Sequence, residues 1–146
     1  MIIIKDTREQ LPLNFRRSKN VEDVITKKLD TGDYSLLGYE DKIAIERKSC
    51  SDLFSTLGGG HKRFKKELER ALEFDYFAIL VEGSFSSVYN KDFDEARYSK
   101  MRGDVAIKIL FTLKFKYGID VIFCNGKKEA AAIIRNVFIA YTKMKN

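Results

Sequence analysis

The chain has 146 residues, 45% apolar and 33% charged, which is the balance of an ordinary globular domain long enough to bury a core. No stretch reaches the roughly 18 consecutive apolar residues of a membrane span. The opening MIIIKDTRE has neither the basic start nor the apolar length of a signal peptide, so an intracellular location without membrane contact is expected. The net charge of +6 suits a polyanionic partner.

In chain order, Ile2, Ile3 and Ile4 predict a short buried strand over 2–5. Val21, Val24, Ile25 and Leu29 fall at helical spacing behind Asn20, a residue suited to an N-cap, and predict a helix over 21–29. Two strands are expected over 33–37 and 42–48, around a turn at Gly38–Asp41. A short helix from about Ser51 ends at Gly58-Gly59-Gly60, and a longer one covers about 61–74. YFAILVE at 76–82 reads as a central strand, apolar on both faces. Gly83–Arg97 is expected as a polar loop holding at most a short helical turn. Residues 99–117 predict a helix that is apolar almost all round, so either deeply buried or part of an interface. A strand at 119–123, a turn at Asn125-Gly126 and a helix over about 127–143 complete the chain. That last helix carries Ala130, Ile133, Ile134, Val137, Phe138 and Tyr141 on one face.

There are no repeats and no linker, and Pro12 is the only proline. The alternation of strands and helices predicts a single α/β domain over 1–146, a mixed central sheet flanked by helices. Cys50 and Cys124 are far apart and belong to no CxxC or Cys/His cluster. That argues against a disulfide framework or a structural zinc, and both are expected as small buried hydrophobes.

The chemistry concentrates in the predicted hairpin. A two- or four-residue loop centred between Tyr39 and Glu40 sets Asp33 directly across from Glu46, on one face and with Cβ atoms roughly 4.5–5.5 Å apart. A three- or five-residue loop would shift the register and separate them. Carboxylates this close require a shared proton or a cation between them. Side chains repeat every two residues along a strand, so Lys48 shares the face of Glu46 while Arg47 points to the other side. Two hard oxygen ligands beside one ammonium suit Mg²⁺ or Mn²⁺ rather than zinc. By itself this short pattern also fits a solvent-exposed hairpin of alternating charge. Asp6 and Glu9 follow the first strand and bring more acid to the same sheet end. Asp52 begins the next helix, where a carboxylate suits the positive end of the dipole equally well.

The stretch Gly32-Asp33-…-Glu46-Arg47-Lys48-Ser49-Cys50-Ser51-Asp52 resembles the GD…ERKxxxD signature of the XPF/Hef family of structure-specific endonucleases. Asp6-Thr7-Arg8-Glu9 is similar to that family's opening motif. Val81-Glu82-Gly83-Ser84, Arg102-Gly103, Tyr117-Gly118 and the Glu129–Tyr141 helix follow in family order, so the resemblance covers essentially the whole chain. It implies a restriction-endonuclease-like α/β fold and metal-dependent cutting of one strand of branched DNA, such as a flap or fork. Asp33 and Glu46 would bind Mg²⁺ or Mn²⁺, the main-chain carbonyl of Arg47 would complete the coordination, and Lys48 would be the catalytic lysine. Asp6, Arg8 and Glu9 would support the site, with Asp6 touching a metal or its waters. Arg47 and Asp52 would hold the motif in shape by pairing with each other or with Arg8. Neither the helicase nor the tandem helix-hairpin-helix domains of family members are expected within 1–146. Glu67 stands where the family more usually has glutamine.

His61, Lys62, Arg63, Lys65 and Lys66 cluster at a helix start behind three glycines, where an anion is favoured. His61, Lys62, Arg63 and Lys66 are therefore candidate DNA contacts, although a solvated charged face fits them equally well. The spacing is not that of a nucleotide-binding loop. The surplus of apolar residues in the last two helices, together with the pairing known for the family, predicts a homodimer or heterodimer through them. Two other readings compete with an active endonuclease: a non-catalytic DNA-binding or scaffold subunit, and a junction resolvase or restriction-type nuclease of the same fold.

Overall fold

The computed structural model describes residues 1–15 and 19–146. The strands are β1 (Ile2–Lys5), β2 (Asp23–Thr26), β3 (Tyr34–Leu36), β4 (Ile43–Ser49), β5 (Tyr76–Glu82) and β6 (Asp120–Cys124). The helices are α1 (Cys50–Leu57), α2 (His61–Ala71), α3 (Phe85–Tyr89), α4 (Gly103–Tyr117) and α5 (Gly126–Lys145), with a 3-10 turn at Ala96–Tyr98. The described strands form one six-stranded mixed sheet in the order β2-β1-β3-β4-β5-β6. β3 runs antiparallel to both β1 and β4, while β1–β2, β4–β5 and β5–β6 are parallel. This is the mixed sheet flanked by helices that the alternating pattern predicts.

The alternation of side chains along the strands divides the core in two. Phe77, Ile79 and Val81 of β5 and Ala44 of β4 face α1, α2 and α4, joining Leu53, Phe54, Phe64, Leu68, Ala106 and Leu110. Ala78 and Leu80 of β5 and Ile43 and Ile45 of β4 face α5, joining Ala130, Ile134 and Phe138. β5 is thus buried on both faces, as its unbroken apolar run requires. α4 buries Ala106, Ile107, Leu110 and Leu113 but leaves Phe111 60% and Phe115 88% exposed. Cys50 and Cys124 are buried and unbridged. No described helix is long and apolar enough to cross a membrane.

One element differs from expectation. The helix expected over 21–29 is the strand β2, paired with β1 from Ile2↔Asp23 to Lys5↔Thr26. Val24, Ile25 and Thr26 are β-branched and fit an extended backbone, and the main-chain bonds offered by β1 outweigh a helical spacing shared by only four residues. Asn20 is not an N-cap; its carbonyl accepts a hydrogen bond from the Met1 ammonium at 2.9 Å.

Gly32 sits two residues before β3 with φ +84°, and a Cβ there would lie 2.7 Å from Cβ of Ala44. Only glycine satisfies both the left-handed backbone and this close approach to β4. We expect Gly32→Ala to lower stability by about 3 kcal/mol, read as a lower urea midpoint with an unchanged m-value.

Candidate active site

The β3–β4 ladder pairs Tyr34 with Ile45 and Ser35 with Ala44; it ends one step short of Asp33 and Glu46, whose carboxyl groups come within hydrogen-bonding reach of each other. The connection spans residues 37–42, longer than the two or four residues expected, but its length is still even and the register survives. Beyond Tyr34 the ladder opens. The Asp33 N–H donates to the Ile45 carbonyl at 2.9 Å. The Arg47 N–H donates to Asp33 Oδ2 at 2.8 Å, so a carboxylate takes the place of a main-chain partner. The N–H and C=O of one strand residue point to the same edge, so the Arg47 carbonyl also faces the Asp33 side.

Glu46 and Lys48 share the face of Ala44, turned toward α1 and α2, with Lys48 Nζ 3.7 Å from Glu46 Oε1. Arg47 points to the opposite face. Its guanidinium pairs with Glu9 at 3.1 Å and with Glu82 at the end of β5, and donates to the Leu11 carbonyl. Only 8% of the Arg47 side chain is exposed, so this is a buried knot joining the post-β1 loop, β4 and β5.

Asp6 does a different job. Its Oδ1 accepts the Leu29 N–H at 2.8 Å, its Oδ2 accepts Arg8 Nε at 2.7 Å, and its own N–H donates to the Asp33 carbonyl at 2.8 Å. Arg8 continues to the Leu29 carbonyl at 3.0 Å. Both Asp6 oxygens are therefore engaged in holding the segment that leads into Asp33. Arg70 of α2 grips the same segment from the other side, donating to the buried Thr31 hydroxyl at 3.2 Å.

Asp52 lies in the first turn of α1, a helix capped by Ser49 Oγ, which accepts the Asp52 N–H at 3.1 Å. Among the described residues Asp52 pairs with neither Arg47 nor Arg8, contrary to expectation, because Glu9 and Glu82 reach Arg47 first and Asp6 holds Arg8. It does border a cavity of about 260 Å³ shared with Arg8, Glu9, Arg47 and Lys48. The basic cluster of α2 divides. Lys62 and Arg63 line a cavity of about 650 Å³ together with Lys48 and Glu67. His61 and Lys65 border the groove against α4 instead, and the His61 ring Nδ1 sits 2.9 Å from the Gly58 carbonyl. Lys66 is exposed outside both.

Electrostatics mark the carboxylate pair. Burial pushes Asp33 up to about 6, against the opposing effect of the Arg47 N–H. Burial also raises Glu46 well above the usual carboxylate range, reinforced by Glu67 and Asp33, with Lys48 opposing. Asp6 shows the contrast: burial pushes it upward, but the Leu29 N–H and Arg8 outweigh that and leave it lowered. Lys48 acts on both Asp33 and Glu46 but does not outweigh their burial, as Arg8 and the Leu29 N–H do for Asp6. Among the described residues no three acidic, histidine or cysteine side chains converge closely enough to hold an ion without further oxygens. Two carboxylates completed by a main-chain carbonyl and water fit a hard divalent ion, which keeps several waters.

The chain matches the ERCC4 domain over residues 5–137. It belongs to the ERCC4 domain family. The solved structure of XPF from Aeropyrum pernix superposes with a TM-score of 0.71 at 26% identity, covering 97% of this chain. XPF from Aeropyrum pernix in complex with DNA superposes with a TM-score of 0.74 at 28% identity, again covering 97% of this chain. In both cases the matched region is 65% of the XPF chain. No curated protein matches significantly. Within this ERCC4 domain, sequence reasoning had missed Glu82 as the partner of Arg47 and Arg70 as a clamp on Thr31. Neither lies near its partner in sequence. Glu67 was noted only as a departure from glutamine, yet it occupies the otherwise apolar stripe Phe64, Leu68, Ala71, which is a readable signal.

Removing the Arg47 side chain would leave Glu9 and Glu82 buried without a counter-charge. Arg47→Ala is expected to cost about 3–5 kcal/mol, whereas Asp52→Asn should change stability by no more than about 1 kcal/mol. Urea denaturation of the two variants checks both.

Proposed function

We propose that this chain is the catalytic domain of a metal-dependent DNA endonuclease that hydrolyses phosphodiester bonds in branched DNA, such as flaps and forks. The observation that carries this reading is the pair Asp33 and Glu46, set side by side and short of positive charge, with Lys48 on the same face. The likeness to an XPF solved in complex with DNA supports DNA as the substrate.

In this reading Asp33, Glu46 and the main-chain carbonyl of Arg47 hold Mg²⁺ or Mn²⁺. Bound there, the ion supplies Lewis acidity, lowering the pKa of a water and neutralising charge on the phosphate. Lys48 orients the attacking water and offsets negative charge building on the phosphorus oxygens. Asp6 and Arg8 fix the backbone that presents Asp33, and Glu9 with Arg47 anchors β4 beneath Glu46 and Lys48. Lys62 and Arg63 sit on the cavity that opens at Lys48, where they steer the DNA backbone. Phe111 and Phe115, exposed on α4 beside the edge strand β6, are the surface through which a second copy or a related partner would pair.

Labelled fork, flap and duplex DNA, each with Mg²⁺, Mn²⁺ or chelator, test the proposal. Metal-dependent nicking near the branch is expected, reduced about 100- to 1000-fold in Asp33→Asn and Lys48→Ala, while DNA binding by Lys48→Ala persists. Folded protein that binds DNA and cuts none of these substrates would replace this reading with that of a non-catalytic DNA-binding subunit.

A further inference from the structure

Glu67 projects from the face of α2 that packs on the sheet, between Phe64 and Leu68, both buried. Its carboxylate comes within hydrogen-bonding reach of Glu46. The Glu67 Oε1 atom is closed off from solvent and has no hydrogen-bond partner. Among the described residues no lysine or arginine forms an ion pair with Glu67, and Lys48 is engaged with Glu46 at 3.7 Å. When both are ionised, two carboxylates in contact have no proton donor between them, and a bare carboxylate oxygen out of water is costly. The geometry therefore leaves a buried acceptor beside Glu46, with no protein group donating to its Oε1.

Water carried by a divalent ion is such a donor. The ion needs no third direct carboxylate, since Mg²⁺ is commonly held by one or two and keeps much of its water. A cavity of about 650 Å³ is bordered by Glu67, Lys48, Lys62 and Arg63, so the Glu67 side chain adjoins open space on the side of Lys48. We propose that Glu67 is a positioning residue of the cation site, accepting hydrogen bonds from water held by the ion at Asp33 and Glu46 and adding a third negative charge to the site. The proposal rests on the nuclease reading above. A glutamine at this position would keep the shape and one acceptor but not the charge.

Mn²⁺ alone, titrated into the full chain and followed by the electron paramagnetic resonance of free Mn²⁺, separates the two claims. The parent is expected to bind, Asp33→Asn to lose most of the binding, and Glu67→Gln to bind about 10- to 100-fold more weakly, the usual effect of removing a partner one step beyond the ligands. In chelator, Glu67→Gln should melt no lower than the parent, because it removes a like-charge contact. A merely structural role would change melting and leave Mn²⁺ affinity alone. Glu67→Gln binding as tightly as the parent, with Asp33→Asn still defective, would overturn the role of Glu67 and leave the cation site standing. A parent that binds no Mn²⁺ at millimolar concentration would overturn both.

Discussion

Asp33 and Glu46 cannot both be charged beside each other in a half-dry pocket without help. At an effective dielectric near 20, two like charges about 5 Å apart repel by about 3 kcal/mol, before any loss of hydration is counted. The surrounding structure holds them there regardless. Asp6 and Arg8 fasten the segment before Asp33, Arg70 fastens it from α2, and the Arg47 N–H takes one Asp33 oxygen. Among the described residues Lys48 is the side-chain cation within ion-pair distance of Glu46, at 3.7 Å. Such strain is stable only where the rest of the fold over-determines it, and its concentration here marks the site.

The sheet explains how one short strand serves two purposes. β4 alternates between the two cores, so Glu46 and Lys48 emerge on the side of α1 and α2 while Arg47 emerges on the other. The Arg47 knot with Glu9 and Glu82 fixes β4 against β5 and against the loop after β1 without neutralising Asp33 or Glu46. Asp6 and Glu9, which look alike in sequence, thereby take different roles. One clamps the approach to Asp33 and the other anchors Arg47. Arg8, Arg47 and Arg70 thus brace the fold, while Lys48, Lys62 and Arg63 border the cavity beside α2.

Much of this was legible in the sequence because it depends on local periodicity. The two-residue repeat placed Glu46 and Lys48 together and Arg47 opposite. The unbroken apolar run at 76–82 could only be an interior strand, and an even loop was enough to oppose Asp33 and Glu46. Features that depend on distant neighbours were not legible. Val21, Val24, Ile25 and Leu29 match a helix in spacing, and only the presence of β1 alongside makes 23–26 a strand. Arg47 was expected near Asp52, five residues on, but parallel pairing of β4 with β5 brings Glu82 closer from 35 residues away. Glu67 was visible as an acid within an apolar stripe, but its target on β4 emerged only when α2 was laid on the sheet.

We propose that Asp33 and Glu46 are held together in order to share a divalent ion. Anomalous diffraction from crystals grown with Mn²⁺ tests it most directly. The account predicts a strong anomalous peak within about 2–2.5 Å of an oxygen from each of the two carboxylates, absent in Asp33→Asn crystals. An ordered Asp33–Glu46 pair with no anomalous density between them would contradict the account and identify the pair as two carboxyl groups sharing a proton.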